Sequence, residues 1–223
     1  MNTVLDWAKA SGHRTGENPV AGVARGLPRQ TEKIKHHAAL PYGEVPAFVK
    51  AARAQEAGKL TTLAFEFLIL TALRTSEVLG AKWAEIHEAE ALWTVPAERM
   101  KKRREHRVPL SDRALAVLKE AKELAGDSPL VFPGRNPDRP LSNMIFAMML
   151  RRMKVPYTAH GFRSSFRDWA AETTSYPREV AEAALAHVIE NRVEAAYRRG
   201  DLLTKRRELM DAWSTFLEGT LRQ

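Results

Sequence analysis

Apolar residues recur with helical spacing from Val45 to Glu56 and again from Leu60 to Leu70, which predicts two helices. The longest apolar run, Leu63 to Leu73, contains Glu66 and stops well short of the roughly 20 residues a membrane span requires. Thr75-Ser76-Glu77 offers a capping pattern for the turn into a helical segment, Val78 to Trp83. The period then changes. Ile86, Leu92 to Pro96 and His106 to Leu110 are short and β-branched or alternating, as expected of strands in a small antiparallel sheet, with Arg99 to Glu105 as a hairpin tip. Ser111-Asp112 caps a helix running to about Leu124, and Ser142 caps another to Met153. Helices at His160 to Glu172, Arg178 to Ala186, Asn191 to Tyr197 and Leu203 to Leu217 complete a helix-rich carboxyl half. The expected class is mainly α with a small antiparallel β-sheet (α+β).

Residues 1–40 read differently. Val4 to Ala10 is amphipathic but starts abruptly, and Gly12, Gly16, Asn18-Pro19, Gly22, Gly26 and Leu27-Pro28 are turn signals. The stretch reads as a linker carrying the stub of a preceding domain, ahead of a main domain at 41–223; an ordered arm packed on the main body is the alternative. The first residues have no basic segment or cleavage pattern and do not form a signal peptide.

Composition narrows the chemistry. The 223 residues contain no cysteine, which excludes a disulfide scaffold, a thiolate metal site and a cysteine nucleophile, and fits a reducing, cytoplasmic compartment. The 35 Lys and Arg against 27 Asp and Glu leave a formal charge of +8, which points to a polyanionic partner.

Four segments could carry chemistry. Arg74 precedes Glu77 by three residues, one helical turn, so the carboxylate could hold the guanidinium; elsewhere such a pair is usually a solvated surface contact. Arg99 to Arg107 carries six cations, among them Lys101, Lys102, Arg103, Arg104 and Arg107, against one Glu105. A cationic hairpin tip of this kind is either a solvated face or a groove-binding element with a lysine beside a phosphate. His160 and Arg163 fall at i and i+3 at a helix start, where both can point at one anion. His187 is followed ten residues later by Tyr197-Arg198-Arg199, which becomes chemically interesting only if the other cations converge on the phenol.

The ordered set Arg74, Lys101, His160-x-x-Arg163, His187 and Tyr197 resembles the catalytic signature of the tyrosine recombinases, the phage-type integrases. The flanking words Thr71-Ala-Leu-Arg-Thr-Ser-Glu, His106-Arg-Val-Pro-Leu-Ser111, Leu185-Ala-His and Ala196-Tyr-Arg match too, in the manner of genomic-island and satellite-prophage integrases. The resemblance covers about Pro41 to Leu217, with 1–40 similar to the end of the family's core-binding domain and its linker. Ala72 and Ala186 stand where many relatives have glycine.

This resemblance implies a DNA breaking-rejoining fold, no cofactor and no metal. It implies that Tyr197 attacks the scissile phosphate to form a 3′-phosphotyrosyl link, that Arg74 and Arg163 clamp the non-bridging oxygens, and that Lys101 protonates the leaving 5′-oxygen, with Lys102 as a rival set by hairpin register. His160 would take the tyrosine proton or hold it in a shared network, His187 would hydrogen-bond the phosphate and Glu77 would support the site. Lys102, Arg103, Arg104 and Arg107 would bind DNA. The implied partner is double-stranded DNA at an attachment site, on which the chain forms a tetramer through the C-terminal helix, with docking of that helix on its own domain or on a neighbour left open, being a monomer or weak oligomer otherwise. Two alternatives are a type IB topoisomerase and a truncated, non-catalytic DNA-binding remnant.

Overall fold

The computed structural model describes residues 2–26, 38–55, 58–187 and 201–219. The chain divides into two compact units, Met1–His36 and His37–Gln223. In the first, α1 (Asn2–Ala10) is followed by the short α2 (Val23–Gly26). The turns between them are held by Asn18, which is 8% exposed and donates through Nδ2 to the Asn2 carbonyl (3.1 Å) and to Asp6 (2.6 Å).

The second unit is built around α4 (Lys59–Thr71), which follows α3 (Val45–Arg53). Every residue of α4 from Thr62 to Thr71 is buried. A helix apolar all round belongs in the middle of a core, and α3, α6 (Asp112–Ala125), α7 (Ile145–Arg152), α8 (Gly161–Thr173) and the C-terminal helix all pack against it. Glu66, the one carboxylate inside that run, is 4% exposed and is held by two guanidiniums, Arg53 (Nε 3.0 Å) and Arg113 (NH2 to Oε2 3.1 Å). Burying a carboxylate is tolerable only with such pairing.

Three strands, β1 (Ile86–His87), β2 (Leu92–Val95) and β3 (His106–Pro109), form the expected antiparallel sheet in the order β1-β2-β3. Val95 pairs with His106, so residues 96–105 form the hairpin tip. The architecture is mainly helical with one small sheet, as the periodicity predicts.

Several boundaries differ from expectation. The helical segment expected over Val78 to Trp83 is instead α5 (Thr75–Leu79), ended by Gly80, and Trp83–Glu85 is a separate 3₁₀ turn. The helix expected from Ser142 begins at Ile145, because the Ser142 hydroxyl accepts from the Met144 N–H (3.3 Å) and closes a turn ahead of it. The expected helix over Arg178 to Ala186 is α9 (Arg178–Ala184), and the one expected over Asn191 to Tyr197 lies outside the described residues.

The last helix, α10 (Leu203–Leu217), is seated on its own unit, against α9, β3, α3, α4 and α8. Leu209, Met210, Trp213 and Leu217 are buried, and Trp213 Nε1 donates to the Ile69 carbonyl of α4 (2.9 Å). Trp213 also meets Trp169 and Phe166 of α8, with ring centroids 4.9 and 5.5 Å apart. The apolar face of this helix is buried against its own unit.

Candidate functional site

The chain leaves α4 through Ala72, whose φ of 51° lies in the left-handed region, and enters α5 through Arg74 in extended conformation. Arg74 is the N-cap of α5. Its own N–H donates to Glu77 Oε2 (2.9 Å), while its guanidinium NH1 donates to Glu77 Oε1 (2.9 Å). Glu77 is 1% exposed, so the arginine is held by a buried carboxylate yet stays partly open to solvent. Arg99, at the base of the hairpin tip, donates to the Glu77 carbonyl and to Glu85, which ties the tip to the turn that carries Arg74.

Arg163 lies on the first turn of α8 and is 3% exposed. Gly161 is required here: a Cβ at that position would lie 2.3 Å from the Ala38 carbonyl oxygen. Arg163 NH1 donates to the Ala72 carbonyl at the end of α4, and NH2 donates to the Leu185 carbonyl at the end of α9 (2.7 Å). Carbonyls at helix C-termini lack intrahelical partners and carry partial negative charge, so two helix ends replace the water that the buried cation has lost. Burial first, and then the nearby Arg74, lower the Arg163 pKa to about 10, against opposing pulls from Glu77 and Glu182; it remains a full cation at neutral pH. Its Nε is buried without a hydrogen-bond partner.

Helix α9 ends in a Schellman turn. The Ala186 N–H donates to the Ala183 carbonyl (3.1 Å) and the His187 N–H to the Glu182 carbonyl (2.9 Å), with Ala186 at φ 50°. This turn brings the side chains of Glu182 and His187 together. Glu182 Oε2 lies 2.7 Å from His187 Nδ1, and His187 Nε2 lies 3.2 Å from Arg163 NH2. Burial lowers the His187 pKa, the bond to Glu182 opposes that, and Arg163 and Arg74 add to the lowering. Glu182 is held below the ordinary carboxylate range despite its burial, by His187, Arg167 and Arg178.

Arg74, Glu77, Arg163 and His187 thus come together from three separate stretches of sequence. His160 is the exposed N-cap of α8, one turn from Arg163. Lys101, Lys102, Arg103 and Arg104 are exposed on the tip; their side chains form no hydrogen bond or ion pair with another described residue, while the Arg103 N–H donates to the Met100 carbonyl (2.9 Å). Arg107 is exposed on β3 and pairs with Asp201 (Nε to Oδ2 2.9 Å). Tyr197 lies outside the described residues.

Sequence reasoning missed Glu182, and it missed His106 and Arg206. His106, first residue of β3, is 8% exposed with a buried, unpartnered Nε2. Burial, with Arg206, Arg163 and Arg74 nearby, lowers its pKa to about 3 although the Ala184 main chain pulls the other way, so it is a neutral ring beside the cationic cluster. Arg206 of α10, 1% exposed, donates to the carbonyls of Arg107 and Asp201 (3.2 Å) and so joins α10 to β3. The signal for Glu182 was its spacing of five residues before His187 at a helix end. Nothing in the sequence marked Arg206.

The sequence profile of the Phage integrase family matches residues 39–201. Among curated proteins, the chain is 36% identical over 178 residues to prophage integrase IntA of Escherichia coli, covering 78% of this chain and 43% of that one. The chain spans about half the length of the curated relatives it matches. Among solved structures, the integrase from mycobacterium phage Brujita aligns with a TM-score of 0.61 at 19% identity, over 100% of this chain and 74% of that one. A lambda integrase tetramer bound to a Holliday junction aligns with a TM-score of 0.60 at 20% identity, over 90% and 58%. The likeness to solved structures is one of fold, while the profile covers the stretches that carry Arg74, Arg163 and His187, and on that match the chain belongs to the Phage integrase family.

Proposed function

We propose that this chain is the catalytic domain of a site-specific DNA recombinase that cuts and rejoins DNA strands through Tyr197. The observation that carries this reading is the gathering of Arg74, Arg163 and His187, which are distant in sequence, around one small region. Two fixed guanidiniums match the oxygens of a phosphodiester bidentately and can stabilise the added charge of a pentacoordinate phosphorus. A cation placed on a transferring phosphoryl group is worth on the order of 10³–10⁵ in rate.

In this reading the Tyr197 oxygen attacks phosphorus, the bond to the 5′-oxygen breaks, and a 3′-phosphotyrosyl link stores the bond energy for rejoining. Lys101 or Lys102 gives a proton to the leaving 5′-oxygen, and His160 accepts the proton of the phenol. Arg103, Arg104 and Arg107 contact DNA phosphates, Arg107 after release from Asp201. Double-stranded DNA is the partner, with several copies assembling on it; lambda integrase, a fold relative, forms a tetramer on a Holliday junction. The assembly is proposed to involve the C-terminal helix, α10, which in the single chain is seated on its own unit. No helix among the described residues is long and apolar enough to cross a membrane. The family match favours this reading over a type IB topoisomerase or a non-catalytic remnant.

The test is incubation of the chain with nicked DNA duplexes under denaturing readout. A protein–DNA adduct that resists denaturant is expected, lost in Tyr197→Phe and slowed at least about 10³-fold in Arg163→Lys. Persistence of the adduct in Tyr197→Phe sinks the assignment of nucleophile.

A further inference from the structure

The contact between Arg163 and His187 poses a chemical problem. Arginine nitrogens only donate, so the 3.2 Å approach of Arg163 NH2 makes His187 Nε2 an acceptor, with the ring proton on Nδ1 facing Glu182. A phosphate oxygen is also an acceptor. The ring therefore cannot hydrogen-bond a phosphate through Nε2 in its present protonation state.

We propose that Glu182 is a positioning residue for the anion site: it holds His187 by Nδ1 and supplies the counter-charge that lets Nε2 gain a proton from solvent when a tetrahedral anion draws Arg163 NH2 to itself. This rests on the proposed function for the identity of the anion as a DNA phosphate. The balance is simple. One N–H of Arg163 passes from Nε2 to an anion oxygen, one proton enters from water, and the imidazolium then donates to a second oxygen.

The local fold supports the assignment. In a Schellman turn the residue after the left-handed position faces the third-last residue of the helix, and the pair is commonly hydrophobic. Here those positions hold His187 and Glu182, so the turn that ends α9 is itself the clamp. The groups facing the ring are Glu182 from α9, Arg163 from α8 and Arg74 from the turn before α5, while Arg167 of α8 and Arg178 at the start of α9 face the Glu182 carboxylate. Arg167 Nε lies 2.9 Å from Glu182 Oε1 and competes with His187 for that carboxylate. Without an anion the cations outnumber the carboxylate and the ring stays neutral. A bound anion offsets part of that excess, and Glu182 then stabilises the imidazolium from its other side.

The experiment is ¹⁵N-histidine NMR on the full chain, with His187 assigned by the signal missing in His187→Asn. Sulfate serves as the probe because it is tetrahedral and does not titrate near neutrality, and sodium chloride of equal ionic strength is the control. In the unmodified protein the ring is expected as the Nδ1–H tautomer, with a titration midpoint that sulfate raises by about 1 pH unit. Glu182→Gln lowers the midpoint by about 1 unit in either salt. Arg167→Gln, which leaves Glu182 in place, raises it and decides the matter should Glu182→Gln fail to fold. An Nε2–H tautomer, a midpoint indifferent to sulfate, or a midpoint unchanged in the variants overturns the proposal. A ring that behaves as expected in a chain forming no tyrosine–DNA adduct leaves Glu182 in this role and removes the recombinase reading instead.

Discussion

A guanidinium as enclosed as that of Arg163 persists because the ends of α4 and α9 aim carbonyl oxygens at it. Both ends turn through an alanine in the left-handed region, Ala72 and Ala186, a conformation that costs an L-residue roughly 1–2 kcal/mol. The glycine that the resemblance implies at these positions would suit φ as well as size, and only the size was legible in the sequence. Arg74, Arg163 and His187 were legible because their chemistry is unusual in combination. Glu182 and His106 were not, since a carboxylate in an amphipathic helix and a histidine at a strand start each have a bland reading.

The neutral His106 leads to a pH prediction. Unfolded, its ring takes a proton near pH 6.5; folded, only near about pH 3. Between these values the unfolded chain binds more protons, so stability falls as pH drops, by up to roughly 1.4 kcal/mol per pH unit. His187, also depressed, adds in the same direction just below its ordinary value. Carboxylates held low, such as Glu182 and Asp201, add their losses only at more acid pH. Urea denaturation between pH 6.5 and 4.5 should show this slope, and His106→Gln should flatten it.

Among the elements, α4 and α10 were readable because their apolar positions recur with helical spacing. The start of α5 was missed for a definite reason. Its N-cap is Arg74, a residue type outside the usual capping set, and the capping bond runs from Glu77 back to the Arg74 N–H. What the periodicity could not tell was which surface α10 covers, since an apolar face is the same in cis and in trans. The entry to α8 gives a test of element placement. Gly161 lets the 38–40 segment lie against the helix, where Thr158 N–H donates to the Ala38 carbonyl (3.2 Å). Gly161→Ala forces that segment away and should cost about 1–3 kcal/mol by denaturant titration, with reduced adduct formation because Arg163 sits two residues on. An unchanged midpoint would mean the close approach does not hold in solution.

For the molecule as a whole, the net charge of +8 and the exposed cations of the tip predict DNA affinity that falls steeply with salt. If about six phosphates are neutralised, affinity should drop about 10³-fold between 50 and 200 mM salt. Removing the charge of Arg103 or Arg104 should reduce the slope of log affinity against log salt by about one each. Salt-independent binding would show that the tip does not engage phosphates.

Four tyrosines compete for the role of nucleophile. Tyr42 faces Glu172, and Tyr176 is partly buried near Glu208 and Asp211; in each case the surroundings raise the phenol pKa and so disfavour the phenolate. Tyr157 lines a cavity of about 360 Å³ that also includes Thr75, the residue after Arg74, and is the remaining rival. Mass spectrometry of the protease-digested protein–DNA adduct distinguishes them directly. A 3′-nucleotide joined through phosphate to the peptide that contains Tyr197 is the predicted result. The same modification on Tyr157, or DNA cut with no peptide attached, would contradict the account.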